Sequence, residues 1–188
     1  NILSEEFYQN DILHREDGPA FAEYYKNGNI SIVEYHQNGN LHRTNGPAVS
    51  IYSKCGSIEV EQYFQNGILH RENKPAIIDY YKNRNIKKKQ YFKNGSLHRI
   101  DGPAIIEYDI SGNIFVEIYI QYEKTHREDG PAVIYHDDVI INIKPKQYWL
   151  NGEEISKEQL RKISIDPNNY PFTKSDIMKI KLTYGWFK

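Results

Sequence analysis

The chain has 188 residues, of which 39% are hydrophobic and 26% are charged, and its formal net charge is −1 at pH 7. This composition indicates a folded domain rather than a disordered chain, and the near-neutral charge argues against a general binder of polyanions. A single cysteine, Cys55, excludes an intrachain disulfide, and no apolar run approaches the roughly 18 residues of a membrane-spanning helix. Because the N-terminal stretch also lacks a secretion signal pattern, we expect a cytoplasmic protein without membrane contact.

The chain is a tandem repeat. The string His-Arg-x-x-x-Pro-Ala occurs five times, at intervals of 28 residues. The histidine and arginine pairs are His14 and Arg15, His42 and Arg43, His70 and Arg71, His98 and Arg99, and His126 and Arg127. This period predicts an array in which each unit packs against its neighbours, rather than two independent domains.

Two turn signals divide each repeat into strand-like segments. Asn-Gly pairs favour the positive φ angles of a tight hairpin, and one such pair precedes each of three motifs, while Asn10-Asp11 is a weaker first copy. These pairs are Asn38-Gly39, Asn66-Gly67 and Asn94-Gly95. The second turn falls at Asn27-Gly28, Cys55-Gly56, Asn83-Arg84 and Ser111-Gly112. Segments rich in Ile, Val and Tyr between the turns predict strands at 20–25, 30–35, 76–81 and 114–120.

Alignment of the repeats produces columns of similar residues. One aromatic column contains Tyr24, Tyr52, Tyr80, Tyr108 and, after a one-residue deletion, Tyr135. A second contains Phe7, Tyr35, Tyr63, Tyr91, Tyr119 and Tyr148, and two aliphatic columns contain Ile30, Ile58, Ile86 and Ile114, and Leu13, Leu41, Leu69 and Leu97. We expect these columns to form the core across stacked units, whereas the varied residues Ser31, Glu59, Lys87 and Phe115 should face solvent.

The repeat pattern ends near Gly152. Ser156 precedes a run of helix-forming residues and predicts a helix N-cap, and a second helix is predicted from about Thr173 to Leu182. We therefore assign residues 1–152 to a repeat sheet and 153–188 to a C-terminal cap with one or two short helices. The apolar residues at 184–187 are open to two interpretations, which are packing against the sheet or docking to a partner.

The His-Arg motif places a histidine, an arginine and often a carboxylate close together in every repeat, which allows the hypothesis of a ladder of catalytic or ligand-binding groups. We favour a structural role, in which the Asp/Asn-Gly pair makes a tight turn, proline fixes φ, and alanine packs where space is small. The arginine would then bond to turn carbonyls or to the carboxylates of Asp17, Asp101 and Asp129. Equivalent histidines should lie roughly 9 to 10 Å apart, too far to share a metal ion. We predict no catalytic residue, metal or cofactor.

Positive charge is concentrated in the third repeat. Six basic residues lie within twelve positions, namely Lys82, Arg84, Lys87, Lys88, Lys89 and Lys93. Such a run is usually a solvated face. The alternative is a surface for RNA, DNA or an acidic protein, with Tyr91 and Phe92 available for stacking.

The Tyr-x-x-Asn-Gly-x-Leu units resemble MORN-type repeats and YwqK-type antitoxin repeats, and the His-Arg-x-Asp-Gly-Pro-Ala version resembles repeat proteins of phages and large viruses. This resemblance covers roughly residues 5 to 152. It implies an all-β fold, an elongated twisted antiparallel sheet that serves as a binding face, and an inhibitor that occludes a protein or protein–RNA complex of a host defence system. We expect a non-catalytic protein-interaction surface, with nucleic-acid or ribonucleoprotein binding and an antitoxin-like role as alternatives.

Overall fold

A computed structural model of the protein describes residues 3–136 and 146–184. Its strands are β1 (Ser4–Glu6), β2 (Tyr8–Gln9), β3 (Ile12–Leu13), β4 (Phe21–Tyr24), β5 (Ile30–Glu34), β6 (His36–Gln37), β7 (Asn40–Leu41), β8 (Val49–Tyr52), β9 (Ile58–Gln62), β10 (Phe64–Gln65), β11 (Ile68–Leu69), β12 (Ile77–Tyr80), β13 (Ile86–Gln90), β14 (Phe92–Lys93), β15 (Ser96–Leu97), β16 (Ile105–Tyr108), β17 (Ile114–Ile118), β18 (Ile120–Gln121), β19 (Lys124–Thr125), β20 (Val133–Tyr135), β21 (Lys146–Leu150) and β22 (Glu153–Ile155). Its helices are α1 (Lys157–Lys162) and α2 (Lys174–Tyr184).

Twelve strands form one open antiparallel sheet in the order β1-β4-β5-β8-β9-β12-β13-β16-β17-β20-β21-β22. The predicted all-β hairpin array with a short helical C-terminal segment is therefore confirmed. Counted from one motif histidine to the next, unit one comprises residues 14–41, unit two 42–69, unit three 70–97 and unit four 98–125, and unit five begins at His126. Units one to four each contribute two adjacent strands to this main sheet.

Beside the main sheet lies a second rank of hairpins, each built from two strands of two residues, which the sequence pattern did not separate from it. In each of units one to four, the chain passes from the main sheet to the small hairpin at the aromatic residue that follows the unit's second main-sheet strand. In unit one the Tyr35 N–H donates to the Ala48 carbonyl, whereas its own carbonyl accepts from the His42 N–H. The predicted Asn-Gly turns form these small hairpins, and Asn38 and Gly39 have φ of +50° and +78°.

The alanine that ends each motif is completely buried, as the sequence predicted for a position with little room. These residues are Ala20, Ala48, Ala76, Ala104 and Ala132. Larger side chains gather at the C-terminal end, where Tyr148 and Leu150 of β21 pack with Leu160, Phe172 and Ile180 in one buried cluster. The repeat sheet is therefore thin along most of its length and thickest where it meets the helices.

One predicted column is wrong at its last member. Tyr135 pairs with Val116, which is the equivalent of Lys88 in the next unit. Because Lys88 pairs with Glu107, Tyr135 occupies the position of Glu107 in the repeat and not that of Tyr108. The position of Tyr108 belongs to His136, whose Nε2 lies 2.9 Å from Glu117 Oε2. The Tyr80 hydroxyl donates to Glu61 in the same way, at 2.9 Å. The change in repeat length therefore comes after His136, so the sequence alignment placed it too early.

The C-terminal segment contains the two predicted helices. The Ser156 side chain accepts from the Gln159 N–H and the Gln159 side chain accepts from the Ser156 N–H, which forms a complete capping box before α1. The helix α2 begins one residue after the predicted Thr173. The main sheet extends through β22, three residues past the predicted boundary at residue 152. The apolar residues 185–187 lie outside the described residues.

Candidate partner-binding surface

Each motif arginine has its guanidinium carbon over the aromatic ring that precedes its motif. The distances from arginine Cζ to the ring centroid are 3.9 Å for Arg15 and Phe7, 3.7 Å for Arg43 and Tyr35, 3.5 Å for Arg71 and Tyr63, 4.0 Å for Arg99 and Tyr91, and 4.0 Å for Arg127 and Tyr119. In every unit the arginine Nη1 also donates to the carbonyl of the motif proline, at 3.2 to 3.5 Å. A cation held over an aromatic face while bonding a carbonyl stabilises the turn.

The motif glycine leaves room for the guanidinium group. A Cβ atom at Gly102 would lie 2.9 Å from Arg99 Cζ, and the distance is 3.0 Å for Gly18 and Arg15. Unit three has Lys74 instead of this glycine, and there Asn73 adopts φ of +55°. The predicted carboxylate bonds are present, since Asp17, Asp101 and Asp129 accept from the arginine Nε of their own motif at 2.9, 3.3 and 2.6 Å.

Each motif histidine holds a turn that lies 24 or 25 residues later in its own unit. Its Nδ1 accepts the backbone N–H at the turn of the small hairpin in units one to four, and at the β21–β22 turn in unit five, at 3.0 to 3.1 Å. The pairs are His14 with Asn38, His42 with Asn66, His70 with Asn94, His98 with Tyr122, and His126 with Asn151. The histidines are therefore separate repeat contacts and do not gather around one pocket.

Two of these histidines have a lowered pKa. Burial lowers the pKa of His98, and the charge of Lys93 lowers it further. Burial likewise lowers the pKa of His126, with Lys181 acting in the same direction and Glu128 opposing it. Both effects favour the neutral imidazole, which is the form that can accept a hydrogen bond at Nδ1.

Side chains that could bind a metal ion are not clustered in the part of the chain that the structure describes. Within it no group of three or more His, Cys, Asp or Glu residues could hold a metal ion. Cys55 lies exposed in the second turn of unit two, as predicted. The Ser53 hydroxyl lies 3.0 Å from its Sγ, and hydrogen bonds from Ser53 and Ser57 lower the pKa of the thiol to about 7.

The structure divides the predicted basic cluster between different faces. Lys88 forms an ion pair with Glu107 at 2.9 Å, whereas Lys89 points to the opposite face of β13 and donates to the Tyr108 hydroxyl at 3.1 Å. Lys87 lies at a bulge in β13, is exposed, and has its Nζ 6.0 Å from the Tyr81 ring centroid.

The remaining members of the cluster lie in two different hairpins of unit three. Lys82 and Arg84 are exposed in its second turn, whereas Lys93 is exposed in the small hairpin β14–β15. Phe92 is half-buried in the same small hairpin, and Tyr91 carries Arg99 on its ring. The predicted cluster is therefore divided between two faces of β13 and two hairpins, and an arginine covers one of its two aromatic rings.

Four positions of unit four carry apolar or aromatic side chains where the preceding units carry polar ones, and we call them the unit-four positions: Ile100, Ile110, Phe115 and Tyr122. The equivalent residues are Glu16, Lys26, Ser31 and Asn38 in unit one, Thr44, Lys54, Glu59 and Asn66 in unit two, and Glu72, Lys82, Lys87 and Asn94 in unit three. Ile100, Ile110 and Tyr122 are 71%, 62% and 74% exposed. Only Phe115 was singled out by the sequence analysis, although the aligned repeats carry the signal at all four positions.

Ile110 and Phe115 line a groove of about 730 Å³ at the junction of units three and four. Tyr81, Lys87 and Tyr108 also line this groove, together with Asp79, Lys88, Glu107 and Asp109. Asp109 accepts backbone N–H groups of its own turn, from Ser111 and Asn113. Burial raises the pKa of Asp79, although the charges of Lys88 and Lys87 oppose this effect. The two lysines therefore do not fully offset the cost of burying this carboxylate.

No protein-family model and no curated protein matches the chain. Within residues 3–136 and 146–184, neither helix has the length and hydrophobicity needed to cross a membrane.

Proposed function

We propose that this chain is a non-catalytic protein-interaction module whose partner binds at unit four. The observation that carries the proposal is the set of unit-four positions, where apolar or aromatic side chains replace polar ones and three of the four are mostly exposed. Exposed aliphatic and aromatic side chains without a role in the fold are typical of binding sites. The same backbone positions are polar in units one to three, so the repeat fold does not need apolar residues there.

The motif residues support a structural role and not a chemical one. Each arginine lies over a ring and donates to a carbonyl, and each histidine accepts a backbone N–H from a later turn of its own unit. A contact that recurs in every unit is expected of a residue that makes the fold, whereas a catalytic site is needed only once. We therefore place function in the residues that differ between units.

The Ile110–Phe115 groove indicates the chemistry of the partner. Its apolar side chains would accommodate an apolar side chain of the partner. The lysines near Asp79 do not fully offset the burial of its carboxylate, so a further positive charge would be favourable there. A protein segment with a lysine or arginine next to an apolar residue would satisfy both features. Occlusion of a host defence complex and neutralisation of a toxin, which the resemblance implies, are two forms of this kind of binding.

Reversion of unit four to the residues of other units tests the proposal without adding a residue foreign to the fold. We expect the double substitution Ile110→Lys and Phe115→Ser to lower the amount of a specific partner retained in affinity purification by at least about tenfold, which corresponds to about 1.4 kcal/mol. The purified pair is then measured by calorimetry. Lys54→Ile in unit two is the matched control and should leave the affinity unchanged. Equal retention by the reverted and native proteins would contradict the proposal.

A separate experiment addresses the nucleic-acid alternative, which the exposed Lys82, Arg84 and Lys87 would favour. We expect single-stranded RNA to bind no more tightly than about 10⁻⁴ M at physiological salt, which is the weak end of the non-specific range. Fluorescence anisotropy at two salt concentrations measures this affinity. Micromolar binding that weakens with salt, and that is lost when these three residues are changed to alanine, would favour nucleic-acid binding over the protein-interaction proposal.

A further inference from the structure

The histidine contacts within the units are hydrogen bonds of a kind that acid removes. Nδ1 of a histidine can accept an N–H only while that nitrogen carries a lone pair, and protonation converts it into a donor. The Tyr122 N–H approaches His98 Nδ1 at 3.1 Å, and the Asn151 N–H approaches His126 Nδ1 at 3.1 Å. A protonated imidazole would therefore place two N–H groups against each other at each of these junctions.

The charged groups around the histidines differ between units. His14, His70 and His126 have Nε2 within 3.9, 3.5 and 3.9 Å of the carboxylates of Glu16, Glu72 and Glu128. Glu128 also pairs with Lys181 of α2, at 2.7 Å. The equivalents of these glutamates are Thr44 beside His42 and Ile100 beside His98, so a neighbouring carboxylate is missing there. The Tyr122 ring packs on His98, with centroids 4.3 Å apart, and Lys93 is the charged group that acts on it.

We propose that His98 and His126 are acid-operated latches, each of which releases the hairpin turn held by its Nδ1 when that nitrogen becomes protonated. His98 should open first as the pH falls, because Ile100 stands where His126 has Glu128, and the Tyr122 ring covers it. Opening at His98 separates the hairpin that carries Tyr122 from unit four's own motif. The inference concerns the folding of the array and does not depend on where a partner binds.

The direction of the pH effect follows from the lowered pKa of His98 and His126. In the unfolded or opened chain these histidines have their ordinary pKa of about 6.5, so the opened form takes up protons at a higher pH than the closed form. The stability supplied by these contacts is therefore complete above about pH 6.5 and is lost as the pH falls from there towards the lower pKa of the closed form.

Hydrogen exchange at the donor amides measures the latch directly in the full-length native chain. After correction for intrinsic exchange rates, we expect the protection of the Tyr122 amide to fall several-fold between pH 7.5 and pH 5.5, with about tenfold as the limit for the protonation of one histidine. The Tyr91 amide, which donates to the Ala104 carbonyl at 2.8 Å, is the internal control and should change much less. Equal protection of the Tyr122 amide at both pH values would overturn the proposal.

The variant His98→Asn separates the latch from a general effect of acid. The asparagine Oδ1 can lie near the position of Nδ1 and accept the Tyr122 N–H at any pH, so protection of this amide should no longer depend on pH. His36→Asn is the matched control, because His36 lies outside the latch with its Nε2 2.8 Å from Glu34, and this variant should keep the pH dependence at Tyr122. If His98→Asn fails to fold, the nitrogen chemical shifts of the native His98 ring still decide the question, since a protonated Nδ1 at pH 7.5 would contradict the latch.

Discussion

Replacing Arg99 with alanine is expected to lower the free energy of unfolding by about 3 kcal/mol, from the loss of a cation–π contact and of a charge-assisted hydrogen bond. Arg99 lies 4.0 Å over the Tyr91 ring, and its Nη1 donates to the Pro103 carbonyl at 3.2 Å. The side chain is only 24% exposed, so solvent screens these contacts weakly. Because unit four lies inside the array, the loss should also weaken the coupling of the units on either side. Urea denaturation followed by far-UV circular dichroism measures the change.

Two further substitutions show whether the planar guanidinium or its charge is responsible. Arg99→Lys retains the charge but not the flat group that fits between the Tyr91 ring and Gly102, so we expect it to recover less than half of the lost stability. Arg84→Ala removes an exposed arginine from the turn of unit three and should change the free energy of unfolding by less than about 0.5 kcal/mol. An Arg99→Ala protein as stable as Arg84→Ala would contradict the structural role of the motif arginine.

The repeat period made most of the fold predictable. Each expected strand is present to within two residues, the Asn-Gly turns have the positive φ that their residues favour, and the motif alanines are buried. These features depend on local turn chemistry and on positions that every unit shares, so five copies of the sequence reinforce one another. The helix N-cap at Ser156 was predictable for the same local reason, since the capping box involves residues three apart.

Features that depend on contacts between residues distant in the chain were less predictable. Nothing in the residue types indicates that a histidine will accept an N–H from a residue 24 positions later, as His98 does from Tyr122. From the sequence alone, the change in repeat length could be placed on either side of Tyr135. The pairing of Tyr135 with Val116 and the contact of His136 with Glu117 show that it follows His136. The basic cluster looked continuous because its members are close in sequence, but alternation along β13 places Lys88 and Lys89 on opposite faces.

Replacing Phe172 with alanine is expected to have the largest effect of the substitutions considered, about 4 kcal/mol, as for other buried phenylalanines. Phe172 is 7% exposed and its ring stacks on Tyr148 with centroids 5.8 Å apart. Tyr148 belongs to the aromatic column that carries the motif arginines, so Phe172 covers this last ring as an arginine covers the earlier ones. Its N–H also donates to the Asp129 carbonyl at 2.6 Å, which ties the C-terminal segment to the turn of unit five.

The place where the Phe172→Ala protein loses structure distinguishes a cap from an ordinary core residue. If the C-terminal segment caps the array, hydrogen exchange should rise first in β20 and β21 and spread towards unit one as urea is added, because each unit is stabilised mainly by its neighbours. Met178→Ala is the matched control on α2, where the side chain is 52% exposed, and it should leave exchange in β20 and β21 unchanged. Uniform acceleration of exchange in all units would instead mean that the array unfolds as one cooperative body, with no preferred end.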